Sequence, residues 1–421
     1  MREKHVMTYV MGQSRTPAVG GSWREWNNMG NRYHNPNTIN ADGLRDIASV
    51  YYPSIGPYDV TDPDYQEYMM QLCKMCYIDT INYYVRNSGC VFDETNDWSR
   101  SFDNLTVEML HKYGLSSSAR LGFFPEDYEN EAGNTLTALI EKLGDTVLTI
   151  EGRPLLGQFS MRAMTIEQVI AWKESYANTH GGIKPFLMVW RHGTWKSSDW
   201  MQVSDGQFGW IELDDSSVQT FRANGDFLKY ADLKTAKANH DSTVAEAKQR
   251  LASGELSFYA EALTPGFDST GCWGWQTGPS RVDPGENGEL YEYKWQAAVK
   301  NDFPMVIIPT WDDWWEASTI EPSLQYGTTY LEITRKYAAA YKGIEANTAN
   351  LELPGWIYKI RKTTSDAEVL TAMETACQLI ADGNYHSAEA FVRPYVEITG
   401  VPATSKTLFD YPMSQPSEKV K

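Results

Sequence analysis

The sequence predicts an α/β protein, a (β/α)8 TIM barrel with a C-terminal helical extension, and three observations carry that prediction. Between about residues 46 and 343, short apolar or aromatic runs alternate with stretches of helical periodicity, as parallel strands joined by crossover helices do. The runs number eight, the count that closes a barrel. Most are bounded by turn residues and lack a polar face, as strands buried on both sides do.

In chain order the strand candidates are residues 47–52, 80–85, 118–123, 155–159, 186–190, 208–213, 257–262 and 305–309. Helical patterns occupy 63–76, 106–113, 135–143, 166–177, 233–252, 291–299 and 327–341. Asp62-Pro63 supplies a cap and a first-turn proline, and Thr165 with Gln168 three residues on is a second helix start. Residues 1–45, rich in Asn, Gly, Ser and Arg, are expected to be an irregular lead-in, and 46–345 the barrel. In 346–421, two helices at 367–381 and 385–395 meet at Asp382-Gly383-Asn384 as a hairpin packed on the barrel, ahead of a polar tail.

Composition narrows the partners. A hydrophobic share of 42% in 421 residues fills one large core. The formal charge of −18, with no Lys/Arg cluster, excludes nucleic acid and anionic lipid as natural partners. No apolar run approaches the roughly 20 residues that span a bilayer. The 15 Trp and 25 Tyr are partly core, and partly suited to stacking on the C–H faces of sugars. Cys73, Cys76, Cys90, Cys272 and Cys377 are an odd, scattered set rather than a disulfide framework. The Cys73/Cys76 spacing falls inside a helical pattern without a second pair or a nearby His, so a buried helix face is expected there.

A TIM barrel builds its site from the loops after its strands. Strand eight delivers the densest such segment, Trp311 to Pro322, with carboxylates at Asp312, Asp313, Glu316 and Glu321 and indoles at Trp311, Trp314 and Trp315. Crowded carboxylates repel one another and raise the pKa of some, which serves acid/base work. Asp313 and Glu316 are three apart, so a helical turn puts them on one face with Cβ atoms roughly 5–6 Å apart. Glycoside hydrolysis needs two carboxyl groups in complementary roles. An acidic helix N-cap is the competing explanation of the same residues.

Tyr51-Tyr52-Pro53 with Ile55 to Asp59, then Pro265-Gly266-Phe267-Asp268, then Trp311 to Pro322, resemble glycoside hydrolase family 99 and its relative family 71. The resemblance spans about residues 47–341. It implies a TIM barrel that cleaves α-linked glycans, with Asp313 and Glu316 as the catalytic pair. By the resemblance, Asp313 deprotonates the substrate 2-hydroxyl to give a 1,2-anhydro sugar, and Glu316 is general acid and then general base. Glu321-Pro322 matches a pair that follows the catalytic segment. One departure is that family 99 usually carries Glu where this chain has Asp313, the residue type of family 71.

Further substrate-binding candidates are Tyr52, Tyr58, Asp59, Glu126, Trp190, Arg191 (or His192 beside it), Glu212, Trp311, Trp314, Trp315 and Glu321. The 7 His are scattered singly without HxH or HExxH, so no catalytic metal is expected; a structural calcium at Asp214, Asp215 or Asp312 stays open. No G-x-G-x-x-G or phosphate loop points to a nucleotide cofactor. The expectation is therefore a cofactor-free, monomeric, endo-acting glycosidase with a carbohydrate substrate, secreted or periplasmic, the cytoplasm left open. The alternative is a glycan-binding barrel without catalysis.

Overall fold

The structure, a computed structural model, describes residues 3–27, 34–85, 104–122, 132–159, 164–190, 198–211, 219–223, 226–272, 280–283 and 285–399. Eight parallel strands close into a barrel: β1 (His5–Val10), β2 (Thr80–Val85), β3 (Ser116–Leu121), β4 (Arg153–Gln158), β5 (Phe186–Trp190), β6 (Gly206–Phe208), β7 (Tyr259–Ala262) and β8 (Met305–Ile308). Closure is made by β1 on β8, with His5 opposite Met305 and Thr8 opposite Ile308. The helices are α1 (Pro63–Met75), α2 (Asn104–Tyr113), α3 (Ala132–Leu143), α4 (Ile166–Thr179), α5 (Leu233–Ser253), α6 (Glu289–Asn301), α7 (Thr329–Lys342), α8 (Leu353–Thr363), α9 (Ala367–Ala381) and α10 (Tyr385–Thr399). A small sheet of 219–223, 226–230, 267–268 and 280–283 is inserted in the connections that leave the C-terminal ends of β6 and β7.

The first strand is not where the sequence placed it. Residues 47–52 form no strand, and β1 lies inside the segment 1–45 that was expected to be irregular. The two runs look alike as strings, His5-Val6-Met7-Thr8-Tyr9-Val10 against Ile47-Ala48-Ser49-Val50-Tyr51-Tyr52. What separates them is a partner on each side. β1 is buried at all six positions between β2 and β8, whereas 47–52 lies in the long connection from β1 to α1 and buries only Ile47 and Ala48. The β6 run also starts earlier than expected, at Gly206, because its ladder partners on β5 and β7 begin there.

Alternation along each strand divides two cores. Met7 and Tyr9, Phe186 and Met188, Ala260 and Ala262, and Met305 and Ile307 fill the barrel interior. Val6 and Val10, Leu187 and Val189, and Val306 and Ile308 face the helices. On β3 the interior parity falls to Ser118 and Arg120, both fully buried. Ser118 accepts from Asn82 Nδ2 at 3.1 Å and donates to Leu155 O at 2.8 Å.

Local signals behave as expected at the helix starts. Asp62 accepts from Asp64 N ahead of Pro63, and Thr165 and Gln168 form a reciprocal capping box on α4. Cys73 and Cys76 are buried in α1. The expected hairpin is α9 and α10, but α8 ahead of it was not anticipated. Leu353-Pro354-Gly355 reads as a break, yet Pro354 sits in the first turn, where a missing N–H costs nothing. These helices are held to the barrel by Glu67 of α1. Its carboxylate accepts from Lys112 Nζ at 2.8 Å, Tyr113 Oη at 2.6 Å and Arg361 Nη1 at 2.5 Å. Burial alone raises the Glu67 carboxyl, but Arg361 and the other donors hold it down to about 2. Among the described residues no helix is long and apolar enough to cross a membrane.

Candidate active site

The segment after β8 folds back across the barrel end as a closed loop. Trp311 N donates to Tyr9 O at 2.7 Å, extending the β1–β8 pairing, and Thr310 N donates to Ser318 O at 2.6 Å. Inside this loop the chain turns tightly. Asp313 N donates to Thr310 Oγ1 at 2.8 Å, Trp314 N to Asp312 O at 3.0 Å, and Glu316 N to Asp313 Oδ1 at 3.1 Å. The turn ends at Ala317, whose φ of 45° lies in the left-handed region that L-residues rarely adopt. Asp313 and Glu316 therefore share one turn, as their spacing predicted.

The capping geometry is real, because Asp313 Oδ1 does accept the Glu316 N–H, but it uses one oxygen. Among the described residues no donor reaches Asp313 Oδ2 or the carboxylate of Glu316. Asp313 is buried and Glu316 is half-buried. Burial raises the Asp313 carboxyl to about 7; the Asp312 charge adds to this, while the Glu316 N–H and Arg120 oppose it. Burial also raises Glu316 well above the carboxylate range, and the Asp313 charge pushes the same way. Both carboxyls are thus raised, and the two titrate as a pair.

Asp312 lies deeper. Its carboxylate accepts from Met11 N at 2.7 Å and Gly12 N at 3.2 Å, which ties the strand-eight loop to the end of β1. Each of its oxygens thus accepts one backbone N–H. Beneath it, Arg120 donates from Nη1 to Asn82 O at 3.0 Å and Oδ1 at 2.8 Å, and lies over the Tyr9 ring at 4.1 Å. Asp268, on the loop after β7, donates its N–H to Glu316 O at 2.6 Å. Burial lifts its carboxyl to about 6, with Thr270 holding it from rising further.

An aromatic series runs from the end of β5 toward this floor. Trp190 stacks on Phe159 at 4.4 Å, Phe159 meets Trp210 edge-on at 4.7 Å, and Trp210 stacks on Tyr9 at 5.1 Å. Trp190 is half-buried.

Several expected substrate contacts are instead part of the packing. Trp311 and Trp314 are buried, and their N–H groups donate to Tyr65 Oη at 3.2 Å and Tyr58 Oη at 2.8 Å. Both tyrosines donate to Glu321 Oε2, Tyr58 at 2.6 Å and Tyr65 at 3.3 Å, and their rings stack at 3.7 Å. Trp311, Trp314, Tyr58 and Glu321 thus form a closed polar network inside an aromatic core, with no face left for a sugar. Asp59 is also buried and accepts from Thr16 N at 3.1 Å, Thr61 N at 2.9 Å and Arg15 Nη1 at 3.4 Å, locking two loops together. Tyr52 is half-buried, and its hydroxyl accepts from Arg45 N at 3.3 Å. Trp315 is half-buried with its N–H on Glu25 O. Glu126, Arg191, His192, Glu212, Asp214 and Asp215 lie outside the described residues.

The buried network makes its own prediction. Burial keeps Glu321 protonated far above the usual carboxylate range, so Glu321→Gln preserves its charge and its acceptor. That variant is expected within about 1 kcal/mol of wild type in urea unfolding, because the hydrogen bonds survive. Glu321→Ala leaves two buried tyrosine hydroxyls without their acceptor and is expected to cost about 3 kcal/mol. Equal unfolding midpoints for the two variants defeat this account.

Two residues of the site were not among the expected contacts. Arg120 had a signal, an arginine at the interior parity of a strand otherwise made of Ser, Ala and Leu. Asp312 had been read only as a cap or a calcium ligand.

Comparison with known proteins places this geometry. The family model described as Glycosyl hydrolase family 99 matches residues 2–343, the whole barrel with β1 included. The chain is 20% identical over 354 residues to glycoprotein endo-alpha-1,2-mannosidase of Xenopus laevis, covering 77% of this chain and 74% of that protein. Among solved structures, the GH99 endo-alpha-mannosidase from Bacteroides thetaiotaomicron with bound bis-tris-propane superposes with a TM-score of 0.61 at 13% identity. That match covers 82% of this chain and 99% of the other. A second structure of that enzyme gives 0.60 at 15% identity, with the same shares covered. These structural matches speak for the fold, and the family model for membership: the chain belongs to glycosyl hydrolase family 99, and is a glycosidase acting on carbohydrate.

Proposed function

We propose that this glycosidase cleaves α-linked oligo- or polysaccharide within the chain, with Glu316 as general acid and Asp313 as the base. The observation that carries the reading is the division of labour on one turn. Burial and mutual repulsion raise both carboxyls, Asp313 Oδ1 is spent on the Glu316 N–H, and no described donor reaches Asp313 Oδ2 or the Glu316 carboxyl. Two carboxyls that repel one another share a proton, so that one member is an acid while the other is a base. Glu316 gives its proton to the glycosidic oxygen as the bond to the anomeric carbon breaks. Asp313 takes the proton of the substrate hydroxyl next to that carbon, the step implied by the family resemblance. The freed oxygen bonds to the anomeric carbon as the leaving group departs; Glu316, then unprotonated, draws the proton from the water that opens this anhydro ring, and Asp313 returns its proton to the released oxygen. The names of the Xenopus and Bacteroides relatives favour an α-mannoside. Action on such polymers outside the cytoplasm belongs to the same proposal.

Reducing-end release from a panel of α-mannans, α-glucans and other bacterial and plant glycans tests it. Internal cleavage of an α-linked member, seen as oligosaccharide products larger than one sugar, is the expected result. Tight binding to one glycan without release moves the chain to the glycan-binding alternative.

A further inference from the structure

We propose that Arg120 and Asp312 are positioning residues for Asp313, a buried cation and a buried anion joined through Met11 that fix the orientation and the charge of the base. The inference rests on Asp313 being that base.

Arg120 is fully buried at the interior parity of β3, yet among the described residues no carboxylate lies within ion-pair distance of it. A cation without a contact counter-ion in the middle of a barrel costs stability, and replacing it with an apolar side chain is normally tolerated or favourable. Its donors show where it is anchored. Nη1 is spent on both oxygens of Asn82, Nη2 points at Met11 Sδ at 3.2 Å, and Nε has no described acceptor. The guanidinium plane lies over Tyr9, with Tyr84 at 5.2 Å and Trp210 at 5.5 Å. Three aromatic rings and two anchored donors leave it little freedom to move toward solvent.

Met11 is the joint. Its sulfur faces Arg120, and its backbone N–H donates to Asp312 Oδ1 at 2.7 Å while Gly12 N–H holds Oδ2. One residue at the end of β1 therefore fixes the cation from β3 and the anion from the strand-eight loop. Asp312 and Asp313 are adjacent in the chain, so pinning the first carboxylate sets where the turn carrying the second begins. Burial acts most on the Asp313 carboxyl, and the Glu316 N–H opposes it; Asp312 then raises it and Arg120 lowers it. Of the other titratable groups, Glu316 on its own turn couples to Asp313, Tyr9 of β1 and Tyr84 of β2 face Arg120, Tyr58, Tyr65 and Glu321 act with Asp312, and Asp268 of the β7 loop binds Glu316 through its backbone. The acids that act on Arg120 are Asp312 and then Asp313, after Tyr9 and Tyr84; burial draws Arg120 down to about 10, which leaves it cationic at neutral pH.

The two residues act on Asp313 with opposite signs, and that is the test. In full-length protein, Asp312→Asn, Arg120→Met and Arg120→Lys are compared by the acid limb of kcat/KM against pH. In parallel, 13C-carboxyl NMR titration of the aspartates is read, with the Asp313 signal assigned by its loss in Asp313→Asn. Removing the anion is expected to move the Asp313 titration and the acid limb down by roughly one pH unit, and removing the cation to move both up by a similar amount. Arg120→Lys retains the charge and is expected to stay close to wild type. A merely structural role lowers kcat or stability without displacing the two titrations in opposite directions. An Asp313 titration unmoved in Asp312→Asn overturns the proposal, and that variant suffices if Arg120→Met does not fold. Displaced titrations together with full activity in Asp313→Asn uphold the electrostatic coupling and overturn the assignment of Asp313 as base.

Discussion

Glu316→Gln is expected to lower kcat/KM on an unactivated glycan by about 10²–10⁴-fold while the protein folds as before. The size follows from what the carboxyl supplies. A glycosidic oxygen leaves poorly as an alkoxide, and its protonation in the transition state is the contribution of the general acid. The absence of structural damage follows from the site. Glu316 is half-buried, no described donor binds its carboxylate, and its ties to the protein are through its backbone, N–H to Asp313 Oδ1 and O from Asp268 N. An amide of equal shape leaves those ties in place. The same variant assayed on a substrate whose leaving group departs without a proton, such as an aryl glycoside with a low-pKa phenol, is expected to recover much of the first step. A variant within tenfold of wild type on the native glycan removes Glu316 from the acid role. An equal loss on both kinds of substrate points to disrupted binding instead.

How far the sequence carried this site can be followed residue by residue. Asp313 and Glu316 were legible because both lie on one local turn after an apolar run, and local spacing survives folding. The barrel was legible for the same reason, strand by strand, except where two similar runs competed to be the first. Nothing within 47–52 says that it lacks strand neighbours; pairing is a property of β2 and β8, far away in the chain. The strand error did not displace the site, because residues 51–59 still reach the strand-eight loop. Ser54 N donates to Pro322 O at 2.9 Å, and Tyr58 reaches Glu321. The indoles of Trp311 and Trp314 show the opposite limit. A tryptophan beside catalytic carboxylates has the same composition whether it faces a sugar or a tyrosine hydroxyl, and only the convergence of α1 and the β1 loop beneath the turn decides. The role of Arg120 was not legible for a related reason, although an arginine inside a strand was there to be noticed. Its role depends on Met11 and Asp312, which are brought to it by strands distant in sequence.

Asp313→Asn is expected to be at least a hundredfold less active and, at alkaline pH, more stable than wild type. The sign comes from linkage. Burial raises the folded carboxyl to about 7 from its ordinary value of 3.8, so the stability that its proton affords is full below about pH 4 and lost as pH rises through 7. Above that, the folded protein holds a buried anion beside the Asp312 carboxylate. The amide keeps the acceptor for the Glu316 N–H and removes the charge. A gain of about 1 kcal/mol at pH 8.5 raises Tm by roughly 2 °C in a chain this long, and the gain is expected to be smaller at pH 5, where the folded wild-type carboxyl is protonated as well, and to vanish below about pH 4, where the unfolded one is too. Paired melts of the two proteins at those pH values read it directly. A Tm difference that is the same at both pH values means that the Asp313 proton is not part of the folding equilibrium. In that case the environment is not raising this carboxyl, and the acid limb of the activity profile has to come from another group. A difference that grows toward high pH, with activity lost throughout, means that the protein keeps a charged base in place at the expense of its own stability.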